Sequence, residues 1–242
     1  MSNSSLISYT KLSPNHSGKR NHKIDTITIH CMAGNLSVES CGAMFAKPGT
    51  MASSNYGIGS DGRIALYVDE GNRSWCTSSR ANDHRAVTIE VANNGGAPDW
   101  PVSEKAYGAL LDLVTDICKR NGIRQLLWKG DKSLIGQVDK QNMTVHRWFA
   151  AKACPGNYLY NRHGQIAAEV NRRLGVKEVA PELPYRVRMG AGQAIYSGPG
   201  GEYRKKNQAI KPGVYTIVAE QDGWGKLKSG AGWIDLSRAE KL

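Results

Sequence analysis

The stretch NMTVHRWFAAKACPG, residues 142–156, brings an imidazole, an ammonium group and a thiol into one short segment. His146, Lys152 and Cys154 follow one another, and Pro155 comes directly after the cysteine. Neutral imidazole and thiolate are both zinc ligands, and a catalytic zinc site needs three protein ligands and one open position. The segment therefore predicts two of the three ligands, and a third is expected on a neighbouring strand.

His30 is the best candidate for the third ligand. It lies near the end of residues 24–32, IDTITIHCM, where Ile27 and Ile29 alternate with polar residues and predict a strand with one buried face. On their own, His30 and His146 would more often be packing residues at strand ends, but the spacing His-x5-Lys-x-Cys-Pro favours ligands. The other histidines lie in polar or charged segments and are expected to be exposed: His16, His22, His84 and His163.

Strand and helix patterns alternate over the first 175 residues. Strands are predicted within residues 24–32, 55–70, 86–94 and 142–148, with a hairpin turn at Asp61-Gly62 in the second segment. Helices are predicted after the caps Ser37 and Ser103, with Gly122 ending the second, and in residues 164–175. This order predicts an α/β domain, residues 1–175, in which helices cover a mixed central β-sheet.

The composition and periodicity of the sequence change at the end of this domain. Residues 175–184, GVKEVAPELP, are polar, hold two prolines and lack periodicity, which predicts a linker at 176–183. Short β-rich runs separated by Gly and Pro fill residues 184–242 and predict a small all-β barrel. This second domain is basic, since it holds ten Lys or Arg against five Asp or Glu.

The whole chain carries a formal net charge of +11. Such a chain is attracted to polyanions, including anionic wall polymers, but its basic residues are scattered and predict no nucleic-acid recognition. No segment approaches the roughly 18 apolar residues of a membrane span, so membrane insertion is not expected. The polar N-terminus lacks a signal peptide, which predicts synthesis in a cytoplasm. Five cysteines, an odd number, favour free thiols over a disulfide framework.

Four blocks of the sequence together resemble a known enzyme family. In chain order they are ITIHCMAGN (27–35), SSNYGIGSDGRI (53–64), AVTIEVANN (86–94) and VHRWFAAKACPG (145–156). In this combination the chain resembles the N-acetylmuramoyl-L-alanine amidases shared by phage endolysins, bacterial autolysins and peptidoglycan recognition proteins. The resemblance covers residues 20–175. It implies the α/β fold of that family, Zn²⁺ as the cofactor and bacterial peptidoglycan as the partner.

The resemblance also implies roles for individual side chains. His30, His146 and Cys154 match the zinc ligands of the family. Lys152 matches the basic residue that stabilises the oxyanion, and Glu90, in VTIE, matches the acidic residue that activates water at the zinc.

One position departs from the family pattern. Recognition proteins and some phage members have a functional tyrosine seven residues before Asp61 of the DG turn. This chain has Ser54 there, and Tyr56 follows two residues later. The proton-transfer role is therefore assigned to Glu90. Ser54 and Tyr56 are expected to bind substrate in the groove, with packing as the alternative for Tyr56.

The C-terminal region resembles the SH3-like domains of bacterial cell-wall hydrolases. The match is carried by AIYSGPGGEYRK (194–205) and GVYTIVAEQDGWGKLKSGAGWIDLS (213–237). Tyr196 replaces the arginine that usually precedes SGPG. Tyr203, Trp224 and Trp233 are candidates for wall binding by stacking on glycan or peptide, and the barrel core is an equally good alternative for both tryptophans.

Together these features predict a two-domain peptidoglycan hydrolase that cuts the amide between N-acetylmuramic acid and L-alanine. Without a signal peptide, an endolysin that acts on the wall after release from the host cytoplasm is the expected setting. Two alternatives stay open: a non-catalytic recognition module that uses the same groove, and a zinc endopeptidase that cuts within the stem peptide.

Overall fold

The computed structural model describes residues 2–176, 182–221 and 223–242. The chain divides into two compact units, unit 1 (Met1–Lys177) and unit 2 (Glu178–Leu242). The linker predicted at 176–183 lies mostly outside the described residues. Among the helices that the structure describes, none is both long and apolar enough for a membrane span.

Unit 1 is built on a six-stranded mixed sheet. The strands of unit 1, of which β2 and β6 form a separate two-stranded antiparallel sheet, are β1 (Tyr9–Thr10), β2 (His16–Lys19), β3 (Thr26–Cys31), β4 (Tyr56–Ile58), β5 (Ile64–Leu66), β6 (Asn72–Ser74), β7 (Ala86–Val91) and β8 (Met143–Thr144). The strand order is β1-β5-β4-β7-β3-β8. Only the β4–β5 pair, the hairpin predicted at Asp61-Gly62, is antiparallel among the described pairs of this sheet.

Two of the four described helices of unit 1 begin after the predicted caps. The four helices are α1 (Val38–Phe45), α2 (Arg80–Arg85), α3 (Glu104–Asn121) and α4 (Gly156–Arg173), with short 3-10 turns at Lys132–Leu134 and His146–Trp148. Ser37 and Ser103 cap α1 and α3 through their side chains, and Gly122 ends α3 in the left-handed conformation that glycine favours. The mixed sheet with its helices confirms the predicted fold class.

Two faces of the sheet are covered differently. Ile27 and Ile29 pack with the apolar stripes of α3 and α4 in the main core. The opposite face carries Thr28, whose hydroxyl contacts Thr144 at 2.7 Å and accepts from Asn82 of α2 at 3.1 Å. All six residues of β3 are therefore buried, and the predicted single buried face is wrong because hydrogen-bonded polar groups are buried on the other side.

Three adjacent parallel strands end on the same edge of the sheet. In β3 and β7 the residues His30 and Glu90 are directly paired, and β8 lies on the other side of β3. Ligand sites of α/β sheets form at the carboxyl ends of parallel strands. The predicted strand 142–148 is wrong in part: β8 ends at Thr144, and His146 begins a 3-10 turn at this edge.

Unit 2 is a seven-stranded sheet whose described strand pairs are all antiparallel. Its strands are β9 (Tyr185–Met189), β10 (Gln193–Tyr196), β11 (Lys205–Ile210), β12 (Gly213–Gln221), β13 (Trp224–Leu227), β14 (Trp233–Asp235) and β15 (Ala239–Lys241). The order is β11-β10-β14-β13-β12-β9-β15. Buried apolar residues from these strands, including Ile217 and Ile234, form a separate core in unit 2. This arrangement fits the predicted SH3-like domain.

Candidate active site

Three donor side chains meet at the carboxyl edge of the unit 1 sheet. His30 is completely buried at the end of β3, while His146 and Cys154 are half-buried. The Cys154 Sγ lies 3.4 Å from His30 Nδ1, and the two imidazole centroids are 5.1 Å apart. One ligand atom from each of the three residues lies within 4.8 Å of the others. The structure thus brings together the three predicted metal ligands.

Backbone hydrogen bonds join the two ends of the loop between His146 and Cys154. The His146 carbonyl accepts from the backbone N–H groups of Phe149 and Ala150, which closes the turn. Arg147 then ties the two ends together, because its backbone N–H donates to the Cys154 carbonyl at 3.2 Å. Its guanidinium also donates to the carbonyl of Ala153 at 2.5 Å. This local closure holds both ligands on one side of the sheet edge.

The donor set fits a zinc ion. A sulfur and a nitrogen that share one tetrahedral zinc lie about 3.6 Å apart at ordinary bond lengths, close to the 3.4 Å between Cys154 and His30. Burial, with His146 and His163 nearby, lowers the pKa of His30 well below its usual value. Burial and the charge of Lys152 also lower the pKa of His146. Both imidazoles are therefore neutral at pH 7, the form that binds a metal.

The sulfur of Cys154 has a second cysteine beside it. The backbone N–H of Cys31 donates to the Cys154 Sγ at 3.4 Å. The neighbouring Cys31 thiol and burial raise the pKa of Cys154. Since a coordinating thiol is deprotonated by its metal, a bound cation would hold the thiolate that this environment otherwise disfavours. Cys31 was not predicted to touch the site, although it directly follows a predicted ligand.

Glu90 lies beside the donor set. Its Oε1 is 3.9 Å from His30 Nδ1 and 3.9 Å from Cys76 Sγ, and its side chain is 15% exposed. The other carboxylate oxygen has no hydrogen-bond partner among the described residues. Burial raises the pKa of Glu90 well above its usual value. A carboxylate in this state is a stronger base than a solvated one, as proton transfer requires.

Two further side chains at the site were missed by sequence reasoning. Cys76 joins His30 and Glu90 in a second group of donor atoms that lie within 4.8 Å of one another. The Ser78 hydroxyl lies 3.5 Å from His146 Nε2. Both residues sit in the loop between β6 and α2, where no periodicity or spacing in the sequence relates them to the ligands.

Lys152 lies on the exposed part of the loop before Cys154. Its backbone N–H donates to the Ala150 carbonyl at 2.8 Å. Its positive charge, after burial, is the second cause that lowers the pKa of His146.

Ser54 and Tyr56 do not line the site. Both are completely buried, so the predicted substrate contact is wrong. The Ser54 hydroxyl donates to the Tyr56 carbonyl at 2.7 Å. The Tyr56 hydroxyl donates to Glu70 Oε1 at 2.5 Å and accepts from the Ser4 backbone at 2.9 Å. These groups form a structural network, as the packing alternative for Tyr56 anticipated.

Two histidines expected in solvent are buried as well. His163 is completely buried in α4, where its Nδ1 lies 2.7 Å from the Leu159 carbonyl and its ring packs on Trp128. Helix α4 begins at Gly156 rather than near residue 164, which places His163 in the helix interior. His84 is 7% exposed and accepts from the Asn21 backbone.

The three residues predicted to bind the wall lie in unit 2. Trp224 and Trp233 are partly exposed and lie outside its apolar core, which excludes the core alternative for both. Tyr203 is 44% exposed in the loop between β10 and β11. A Cβ on Gly198 would overlap the Tyr203 ring at 2.2 Å, so that glycine permits the ring to lie against the backbone.

A His–His–Cys donor set beside a carboxylate, at the carboxyl edge of parallel strands, is typical of a hydrolytic metal site. Residues 20–157 match the family described as N-acetylmuramoyl-L-alanine amidase. This match spans more than half of the chain, and the chain belongs to this amidase family. No curated protein sequence matches it.

Two solved structures show the same fold. The Staphylococcus aureus hydrolase AmiA in complex with its ligand has a TM-score of 0.52 at 14% identity, over 72% of this chain and 85% of that chain. A selenomethionine derivative of AmpD has a TM-score of 0.50 at 18% identity, over 71% and 95%. These similarities confirm the fold. The family match ends at residue 157, so it does not reach unit 2.

Proposed function

We propose that unit 1 is a zinc-dependent N-acetylmuramoyl-L-alanine amidase whose ion is held by His30, His146 and Cys154. The observation that carries this proposal is the convergence of three donor atoms within 4.8 Å at the carboxyl edge of the sheet. Two neutral imidazoles and one thiolate would leave a Zn²⁺ site with net positive charge. A site with three protein ligands also keeps a fourth position open.

Amide hydrolysis needs a nucleophile at neutral pH and a group that stabilises the developing oxyanion. Zinc, when bound, would polarise the scissile carbonyl and lower the pKa of water to about 7. Glu90 Oε1, 3.9 Å from His30 Nδ1, would accept the proton of the attacking water. The same carboxyl would return that proton to the leaving amine of alanine. Lys152 would place its ammonium group at the oxyanion.

The alternatives are less well supported. A non-catalytic recognition module has no use for a basic carboxylate beside a complete ligand set, and both Glu90 and Cys154 are present here. A zinc endopeptidase would use the same chemistry on another amide. Its products would expose amino groups of residues other than the alanine that is bound to N-acetylmuramic acid.

Unit 2 is proposed to be the SH3-like wall-binding domain of a modular lytic enzyme, with residues 1–175 as the catalytic domain and 176–183 as the linker. The proposed setting is an endolysin that is made in a host cytoplasm and acts on the wall after release. Deleting residues 184–242 should reduce lysis of whole cells far more than hydrolysis of a soluble muropeptide. Equal loss on both substrates would show that unit 2 supports the fold of unit 1 instead.

Metal analysis of the purified full chain tests the zinc assignment. About one equivalent is expected in the native protein and almost none in Cys154→Ser. Cys118→Ala is the matched control, because Cys118 is completely buried in α3 within the main core. It should keep its zinc despite a small loss of stability. Stoichiometric zinc in a His30→Ala and Cys154→Ser double variant would contradict the proposed ligand set.

A further inference from the structure

Four side chains form a row across the sheet of unit 2, here called the aromatic–lysine row: Lys226 (β13), Trp233 (β14), Tyr196 (β10) and Lys205 (β11). Lys226 pairs with Trp233, Trp233 pairs with Tyr196, and Tyr196 pairs with Lys205. Directly paired residues of antiparallel strands place their side chains on the same face. The row therefore presents two aromatic rings between two ammonium groups.

This face points away from the core of unit 2. The residues that alternate with the row, among them Ile195, Leu227 and Ile234, are at most 3% exposed and belong to that core. Lys205 and Lys226 are exposed, and Tyr196 and Trp233 are partly exposed. Trp224 widens the aromatic surface, because its ring meets Tyr196 edge-on at 5.0 Å. Rings in solvent contact bury apolar area only when a ligand covers them.

The charge around the row is predominantly positive. Residues 184–242 carry ten Lys or Arg against five Asp or Glu, a difference of +5. On this face Asp235 pairs with Trp224, and its Oδ1 already accepts from the Ser237 backbone at 2.8 Å. The β10–β11 loop adds the carboxylate of Glu202 but also the exposed guanidinium of Arg204. Among the described residues, no salt bridge involves Lys205 or Lys226.

The dimensions and chemistry of the row favour one class of ligand. The two strands that carry its lysines, β13 and β11, are separated by three inter-strand spacings, about 14 Å. Cations at both ends suit two anionic groups, and the rings between them suit the apolar face of a sugar. A neutral peptide would leave both lysines unused. Duplex nucleic acid would be drawn to more extensive basic surfaces than two lysines.

We infer that the aromatic–lysine row binds a phosphate-bearing glycopolymer of the bacterial cell wall. This inference rests on the proposed wall-binding role of unit 2 and specifies the surface and the ligand chemistry. It gives unit 2 a preference for walls that carry such polymers, separate from the amide that unit 1 would cut.

The test uses the full chain and purified Gram-positive sacculi, either native or stripped of phosphodiester-linked polymers with hydrofluoric acid. Lys205→Gln plus Lys226→Gln removes the two charges of the row. Lys211→Gln plus Arg238→Gln is the matched control, since it removes two exposed positive charges of unit 2 outside the row. Trp233→Ala tests the ring, with near-UV circular dichroism to check that unit 2 is folded.

The native chain should bind native sacculi about tenfold more tightly than stripped sacculi at low salt, and the difference should shrink with added salt. The row variant should lose about tenfold on native sacculi, while the control variant stays within about twofold. Equal binding of both sacculi by the native chain would overturn the inference. Two further results would overturn the inference, because they would show that binding depends only on net charge. The first is an equal loss of affinity for native sacculi in the two double variants, and the second is binding of duplex DNA by the native chain as tight as its binding of native sacculi.

Hydrolysis of a soluble muropeptide separates this inference from the proposed activity. All unit 2 variants should turn over that substrate like the native chain, since they leave His30, Glu90 and the other residues of the site unchanged. If the native chain does not hydrolyse the soluble muropeptide at all, the amidase proposal is refuted, and the comparison of binding to the two kinds of sacculi is unaffected. If Trp233→Ala is misfolded, the double lysine variant alone decides the inference.

Discussion

Replacing Glu90 by Gln removes a proton acceptor from the site while almost preserving its shape. The two side chains have the same length, and one carboxylate oxygen already lacks a hydrogen-bond partner among the described residues. The amide should therefore fit the same space with a change in the free energy of unfolding of no more than about 1 kcal/mol. Burial raises the pKa of Glu90, and an amide cannot replace this basicity.

The expected loss of turnover follows from this single change. General acid–base catalysis contributes about 10²–10⁴ in rate, which corresponds to about 2.7–5.4 kcal/mol in the activation free energy. The zinc content should stay at about one equivalent, because Glu90 is not one of the three proposed ligands. Cys76→Ala is a comparison variant that changes a neighbour of Glu90 and leaves the carboxylate in place. Its Sγ lies 3.9 Å from Glu90 Oε1, and its loss should lower turnover by less than about tenfold.

The assay measures release of the stem peptide from a soluble muropeptide, together with metal content and the thermal midpoint. Near-native turnover in Glu90→Gln would refute the proton-transfer role. Loss of zinc with retention of the fold would also refute the reasoning, because it would mean that the metal uses the second donor group of His30, Cys76 and Glu90.

Three other predictions concern Lys152 and the stability of unit 1. Lys152→Ala should lower muropeptide turnover about 10²–10³-fold and retain zinc, as expected for loss of an oxyanion donor; loss of zinc with unchanged turnover of the metallated fraction would argue against that role. Arg120→Met should cost about 3–5 kcal/mol in urea unfolding, because the fully buried Glu70 loses the cationic partner that contacts it at 2.5 Å; a cost below about 1 kcal/mol would contradict a stabilising role for this ion pair. Burial lowers the pKa of His163 to about 4, so the unfolded chain binds a proton below pH 6.5 before the folded chain does. The free energy of unfolding should therefore fall by up to about 3 kcal/mol between pH 6.5 and 4, and His163→Phe should show a shallower fall in urea titrations at several pH values; identical slopes would exclude His163 as the cause.

The parts of unit 1 that could be predicted depend on local patterns. The β-strand periodicity around Ile27 and Ile29, the hairpin at Asp61-Gly62 and the serine cap of α3 are properties of short segments. The confirmed resemblance added the family, because four separated blocks occur in the right order. The strand end at His30 and a turn between His146 and Cys154 are expected from their own segments, and the resemblance implies that the three residues share one metal.

The remaining features depend on contacts between distant segments. Tyr56 is buried because its hydroxyl meets Glu70, which Arg120 reaches from α3, 50 residues further along the chain. The sequence predicts an exposed His163 because it predicts a start of α4 near residue 164, whereas the helix begins at Gly156. Gly156, at its first turn, has a positive φ and gives no standard capping signal. Cys76 enters the site on a loop whose position is set by neighbouring strands.

Digestion of purified peptidoglycan tests the central claim most directly. The native chain should release new N-terminal alanine without new reducing ends, a chelator should abolish this release, and added Zn²⁺ should restore it. New reducing ends would indicate a glycosidase, and N-termini other than alanine would indicate an endopeptidase. Either product pattern, or undiminished alanine release after complete removal of the metal, would contradict a zinc-dependent N-acetylmuramoyl-L-alanine amidase.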